Sequence, residues 1–142
     1  MPSSPTVSPA LPRQFDLAAL LLRLGLGVLV LFHGVAKVAA GPGYVGTLVA
    51  KAGLPELLAY GVYVGEVVAP LMLIVGLWTR LAAWVVVVNM LFAVALVHAS
   101  QLFSVNARTG GYELELQALF LLAAVVVALI GPGRFSLDAR RG

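Results

Sequence analysis

Six ionisable side chains lie inside apolar runs of this sequence: Arg23, His33, Lys37, Glu66, His98 and Glu113. Acids, bases and imidazoles in one place can pass protons, and such a donor set suits oxygens that exchange protons as they are reduced, such as those of a quinone head group. Glu66 is the most informative of the six. It is the one charge in YGVYVGEVVAPLMLIVGLW (60–78), a stretch long enough to cross the roughly 30 Å hydrocarbon core of a bilayer. A carboxylate at that depth costs roughly 2.5–3.5 kcal/mol on insertion scales, so it faces protein or a wet cavity and has a partner. Pro70 removes the backbone donor that would have served the Glu66 carbonyl, which either frees that oxygen for a role or marks an ordinary kink. Gly61, Gly65 and Ala69 recur at four-residue steps, a pattern that lets another helix approach closely.

Helical geometry offers two tests of whether these groups meet. At 100° per residue, Arg23, Gly27, Val30, Gly34 and Lys37 share one stripe of the first helix, with His33 at its edge, so that stripe should face the bundle. Counted at 1.5 Å per residue, His33, His98, Glu113 and Glu115 reach roughly the same height, about 24–28 Å, with Lys37 slightly above and Glu66 at roughly 18 Å. On this reading Glu66 and Glu113 handle protons, His33 and His98 contact the ligand oxygens, and Arg23 and Lys37 balance the buried carboxylates. Blander assignments stand beside it. Lys37, Glu113 and Glu115 are close enough to helix ends to snorkel into the headgroups, and His98 suits an interface. Glu113 and Glu115 are about 200° apart, so only one can face inward, and Glu113 shares its face with Gln117. Asn89 is about 180° from His98 and reads as an interhelical hydrogen bonder. Arg23 either pairs with Glu66 or reaches the near surface. Two histidines and a carboxylate suit zinc or iron, but no pair has the spacing of a metal-binding helix and Lys37 would repel a cation, so no metal site is assigned.

The elements that must position these groups follow from composition. Of 142 residues, 61% are hydrophobic and 11% charged, with a mean hydropathy of +1.03, which describes an integral membrane domain. The predicted fold is an all-α membrane protein, a four-transmembrane-helix up-down bundle with spans at about 17–40, 56–78, 81–100 and 112–130. Residues 1–16, rich in Ser and Pro, read as a disordered tail, and 132–142 as a short basic tail. A cleaved signal peptide ending at Ala39–Ala40 is the rival for the first run, disfavoured by a lone preceding Arg and a run longer than an h-region. Gly41 to Pro55 is a loop with a short surface helix around 45–52, Thr79–Arg80 is the turn between the second and third spans, and 101–111 is a second loop. Arg13, Arg80, Arg134, Arg140 and Arg141 fall on one side against Lys51 and Arg108 on the other, which places both termini in the cytoplasm. The net charge of +3 is dispersed without aromatic interleaving, so nucleic acid is not a partner. With no cysteine, the chain has no disulfide and no thiolate metal site.

Four stretches together resemble one known family: RLGLGVLVLFHGVAKV (23–38), GEVVAPLMLIVGLWTRLAA (65–83), VHASQLF (97–103), and GGYE (110–113) followed by GPGRFSLD (131–138). Their order and spacing are similar to those of the DoxX family of small bacterial membrane proteins. The resemblance covers about 20–138 and implies a four-helix protein of the bacterial inner membrane, with Arg23, His33, Lys37, Glu66, His98 and Glu113 at the matching polar positions. It also implies an association with quinone-linked redox or oxidative-stress systems, because the family takes its name from a subunit of a thiosulfate:quinone oxidoreductase.

Three functions compete on this evidence. The first is a redox component that binds a quinone near the outer leaflet and takes electrons from a partner. A second is a non-enzymatic anchor for a soluble oxidoreductase, with the polar cluster serving packing alone. The third is a small proton-coupled transporter, which with four spans would require a homo-oligomer.

Overall fold

The computed structural model describes residues 13–141, so the expected tail over 1–12 lies outside the described residues. Helix α1 (Arg13–Ala40) is followed by a short helix α2 (Gly43–Lys51). The second span is composite: a 3-10 turn at Glu56–Leu58, α3 (Ala59–Tyr63), a π turn at Val64–Val68 and α4 (Ala69–Val75). Helices α5 (Thr79–Val97) and α6 (Glu115–Ile130) complete the bundle. The composite second span packs between α1 and α5, α5 packs along α6, and α6 returns to α1, closing a ring of four helical segments. One end of the ring carries the 76–78 turn, the start of α1 and residues 131–141, and is called the turn end below. The other carries 41–58 and 98–114, the loop end.

Three of the segments, Arg13–Ala40, Glu56–Val75 and Thr79–Val97, are long and apolar enough to cross a membrane. Helix α6 has 16 residues, about 24 Å, and falls short of that length. It begins at Glu115 rather than near 112 because the preceding residues are bound elsewhere. The Tyr112 hydroxyl donates to the Leu102 carbonyl at 2.8 Å, the Glu113 N–H donates to Ser104 at 3.0 Å, and Glu115 Oε1 accepts the Tyr112 N–H at 3.0 Å. Helix α1 begins earlier than expected, at Arg13, because Asp16 in its first turn accepts the Arg134 N–H at 3.0 Å. Exposed Leu21, Phe32, Leu119 and Leu129 face outward, where lipid is the solvent, while Val30, Leu73, Ala82, Val86, Ala124 and Val127 fill the centre. The alanines among them let the helices close up without a void.

The turn between the second span and α5 falls at 76–78, three residues before the expected Thr79–Arg80. Gly76 adopts φ 73° and its N–H donates to Met72 and Leu73, while Leu77 also donates to Met72, so the helix is ended by a left-handed glycine. Trp78 then sits at φ 44°, unusual for a bulky residue. What stabilises it comes from the far end of the chain. The Asp138 carboxylate accepts the N–H groups of Trp78 at 2.7 Å and Thr79 at 2.8 Å, capping α5 from outside, while the Leu137 and Asp138 N–H groups donate to Val75 and Gly76. Residues 131–141 therefore form a clasp over the turn end and not a free tail.

The clasp makes stability depend on pH. Burial alone would raise the Asp138 pKa, but the N–H groups of Thr79 and Trp78 and the charge of Arg141 outweigh it and hold the carboxyl below the usual range. A carboxylate depressed in the folded state adds stability that is complete above its unfolded pKa of about 4 and is lost as pH falls through the folded value. Asp138→Ala should cost about 0.5–2 kcal/mol at pH 7, the range for a lost helix cap, and the gap from wild type should shrink below about pH 4. Thermal unfolding in detergent at pH 7 and pH 3 checks both parts.

Candidate functional site

The π turn places Glu66. Ahead of Pro70, which cannot donate, the Ala69 N–H reaches five residues back to Val64, and the extra residue bulges the helix at 64–68. Glu66 is 2% exposed within the bulge. Its Oε1 accepts from Lys37 Nζ of α1 at 2.5 Å and from Asn89 Nδ2 of α5 at 3.2 Å. Its Oε2 is buried and makes no hydrogen bond. A carboxylate so deep is tolerated because a cation and an amide share one of its oxygens, while the other is enclosed without a partner among the described residues.

Two glycines bring the three segments this close. A Cβ on Gly34 of α1 would overlap the Glu66 carbonyl oxygen, and one on Gly65 would overlap the Asn89 side chain. The carbonyl that Pro70 leaves without its usual donor is therefore the surface on which α1 rests. The expected stripe of α1 does face the bundle, for Arg23, Gly27, Val30 and Gly34 are buried and Lys37 is half-buried.

Lys37, Glu66 and Asn89 stand at the wall of a cavity of about 450 Å³ whose remaining lining is almost wholly apolar. Helix α2 contributes Tyr44, Val45, Leu48 and Val49, the second span Leu58, Gly61, Val62 and Gly65, and α5 a long face that includes Trp84, Val88 and Phe92. The second span lines it only from Glu66 toward the loop end. Most of its lining therefore falls in the loop-end half of the bundle, while α5 carries it from Leu81 near the turn end to Val97, with the polar trio at mid-depth.

The structure does not gather all six expected residues around one pocket. His98 ends α5 with Nδ1 at 2.6 Å from Gln101 Oε1 and Nε2 at 3.3 Å from Gln117 Nε2, away from the cavity. His33 is exposed on α1 with its ring edge-on to Phe120, centroids 5.7 Å apart. Glu113 is half-buried near the loop end, and Glu115 is exposed and bound to the Tyr112 N–H. Arg23 neither meets Glu66 nor reaches the surface. It is 1% exposed, Nη2 donates to the Phe135 carbonyl at 2.7 Å, and Nε and Nη1 are buried without partners. The clasp takes up its guanidinium, a partner supplied by backbone that no residue pattern announces. Among the described residues no three His, Cys, Asp or Glu side chains lie close enough to hold a metal. Asn89 is the member that the sequence reading left outside the cluster. Its distance from the turn end, ten residues beyond Thr79 or about 15 Å, is close to that of Glu66 and would have picked it out.

Apolar helices packed around a buried, partnered carboxylate beside a largely apolar cavity define a helical membrane protein. The chain belongs to the DoxX family, whose model matches residues 18–99, a segment that holds every residue lining the cavity. It is also 30% identical over 128 residues, 89% of this chain and 88% of the relative, to a protein of Bacillus subtilis (strain 168) described as "Putative oxidoreductase CatD". No solved structure gives a match.

Proposed function

We propose that the protein is the membrane component of a quinone-linked redox system and holds the quinone head group beside Lys37, Glu66 and Asn89. The observation that carries this reading is a buried carboxylate with one free oxygen at the wall of an apolar chamber, at mid-depth. A phospholipid head belongs at the interface, and its phosphate would meet a carboxylate whose lysine is already engaged. A quinone ring is uncharged, travels within the hydrocarbon and offers oxygens to Lys37 Nζ. Its reduced form offers hydroxyl protons to Glu66. The family and the oxidoreductase description of the Bacillus relative support the redox part. His33 and His98 line no part of this chamber, so the contacts expected of them pass to Lys37 and Asn89.

With no cysteine in the chain, electrons come from a partner, for which a soluble oxidoreductase on the membrane surface is the natural class. The location is the bacterial inner membrane with both termini cytoplasmic, supported by Arg80 and the arginines of the clasp at the turn end. The chamber then opens in the outer half of the bilayer.

The test is equilibrium binding of a short-tailed benzoquinone to purified protein in nanodiscs. Wild type should bind it, and Glu66→Gln should bind its reduced, hydroxyl-bearing form about tenfold or more weakly, the loss of one charge-assisted hydrogen bond. Wild type that neither retains quinone from native membrane nor binds it when supplied would overturn the reading.

A further inference from the structure

Gly61 lines the same wall of the chamber as Gly65 and Glu66, one turn nearer the loop end. Gly65 and Gly34 are glycine for a reason visible in the packing, since a side chain at either would strike a neighbour. Gly61 has no such reason. It lies within α3, and nothing stands within 4 Å of the place a Cβ would occupy. Glycine inside a helix costs about 0.5–1 kcal/mol relative to alanine, so the position gives up stability for no packing gain. What it provides is room, on a face that looks into the cavity.

We propose that Gly61 sets the size of the head group the chamber admits, with the flat ring lying against the Gly61 backbone and the Asn89 side chain, which covers Gly65, at its edge. The inference rests on the quinone reading above and names the residue that selects among quinones. Gly61 leaves an open strip of helix surface, the Asn89 side chain covers Gly65 one turn on, and Glu66, 2% exposed with Oε2 unpartnered among the described residues, follows directly in sequence. A ring on that strip points one edge at Lys37, Glu66 and Asn89. Its tail leaves along the α5 face past Val88 and Phe92, which are exposed to lipid. A methyl at 61 would stand where the ring lies, and an isobutyl group would fill the strip.

The test compares a single-ring benzoquinone with a fused two-ring naphthoquinone, both short-tailed and kept in their reduced, hydroxyl-bearing form, binding to wild type, Gly61→Ala and Gly61→Leu in nanodiscs. Thermal unfolding is measured alongside. Gly61→Ala should be at least as stable as wild type and should weaken the two-ring quinone more than the single-ring one. Gly61→Leu should weaken both by about tenfold or more, within the range by which apolar pockets discriminate size. If Gly61→Leu is folded and binds both as wild type does while Glu66→Gln loses them, this inference falls and the quinone reading stands. Equal weakening of both rings by Gly61→Ala also overturns it. Wild type that binds neither quinone removes the reading and the inference together. Should Gly61→Leu fail to fold, the ring-size comparison in Gly61→Ala still decides.

Discussion

Lys37→Met should destabilise the protein by about 3 kcal/mol, the lower end of the range for breaking a buried pair by removing one member. Among the described residues Lys37 Nζ is the one cation on Glu66, at 2.5 Å, and the carboxylate side chain is only 3% exposed. Without it, Asn89 Nδ2 alone at 3.2 Å would support a negative charge deep in the bundle. The lower end is expected because Asn89 still holds one oxygen of the carboxylate. Lys37 is itself 37% exposed, so its own desolvation is not what is lost. The second variant makes the argument testable. Lys37→Met with Glu66→Gln leaves no unpaired charge and should recover most of the loss, because removing both members of such a pair is often close to neutral. Unfolding midpoints of the two single variants and the double variant, in one detergent at pH 7, form the cycle. A double variant no more stable than Lys37→Met would mean that the two side chains do not depend on each other.

That pairing also shows what could be read from the sequence and what could not. The run around Glu66 fixes its depth, and the α1 stripe fixes the side on which Lys37 points, so the meeting of α1 with the second span follows from one-dimensional information. His33 and His98 rise to similar heights as well. Height says nothing about azimuth around the ring, and the packing order α1, second span, α5, α6 turns His98 toward Gln117 of α6 while Asn89 faces Glu66. The 180° separation of Asn89 and His98 had already required two sites and is met by two. Arg23 failed for a different reason. Its partner is the backbone carbonyl of Phe135, and the segment that supplies it is held by Asp138 on the N–H groups of Trp78 and Thr79. Backbone partners 60 and 112 residues away leave no pattern of side-chain types. The π turn was legible only as the consequence of a missing donor at Pro70, not as a bulge with a defined span.

Gly34→Ala should be among the most damaging single methyls that can be added to the membrane-spanning helices. The new Cβ would overlap the Glu66 carbonyl oxygen, fall 2.6 Å from its carbonyl carbon and lie 2.8 Å from Val67 Cγ2. Two of those three atoms are backbone, held by the π turn, and cannot rotate aside. Helix α1 must therefore move away from the second span. Overpacking of this kind costs about 1–3 kcal/mol, and the rigid backbone target places the expected value at the upper end. The displacement also has a specific consequence, since Lys37 lies three residues on from Gly34 and its ammonium reaches Glu66 from that same helix face. Moving α1 outward stretches the ion pair, so Gly34→Ala should weaken the quinone binding proposed above along with stability. Gly25→Ala is the control: no atom lies within 4 Å of its Cβ position, and alanine there should be neutral or stabilising by up to about 1 kcal/mol. If Gly34→Ala unfolds at the same temperature as Gly25→Ala, α1 does not rest on the Glu66 carbonyl. The cause assigned to this glycine would then be wrong, and with it the reason Lys37 can reach across.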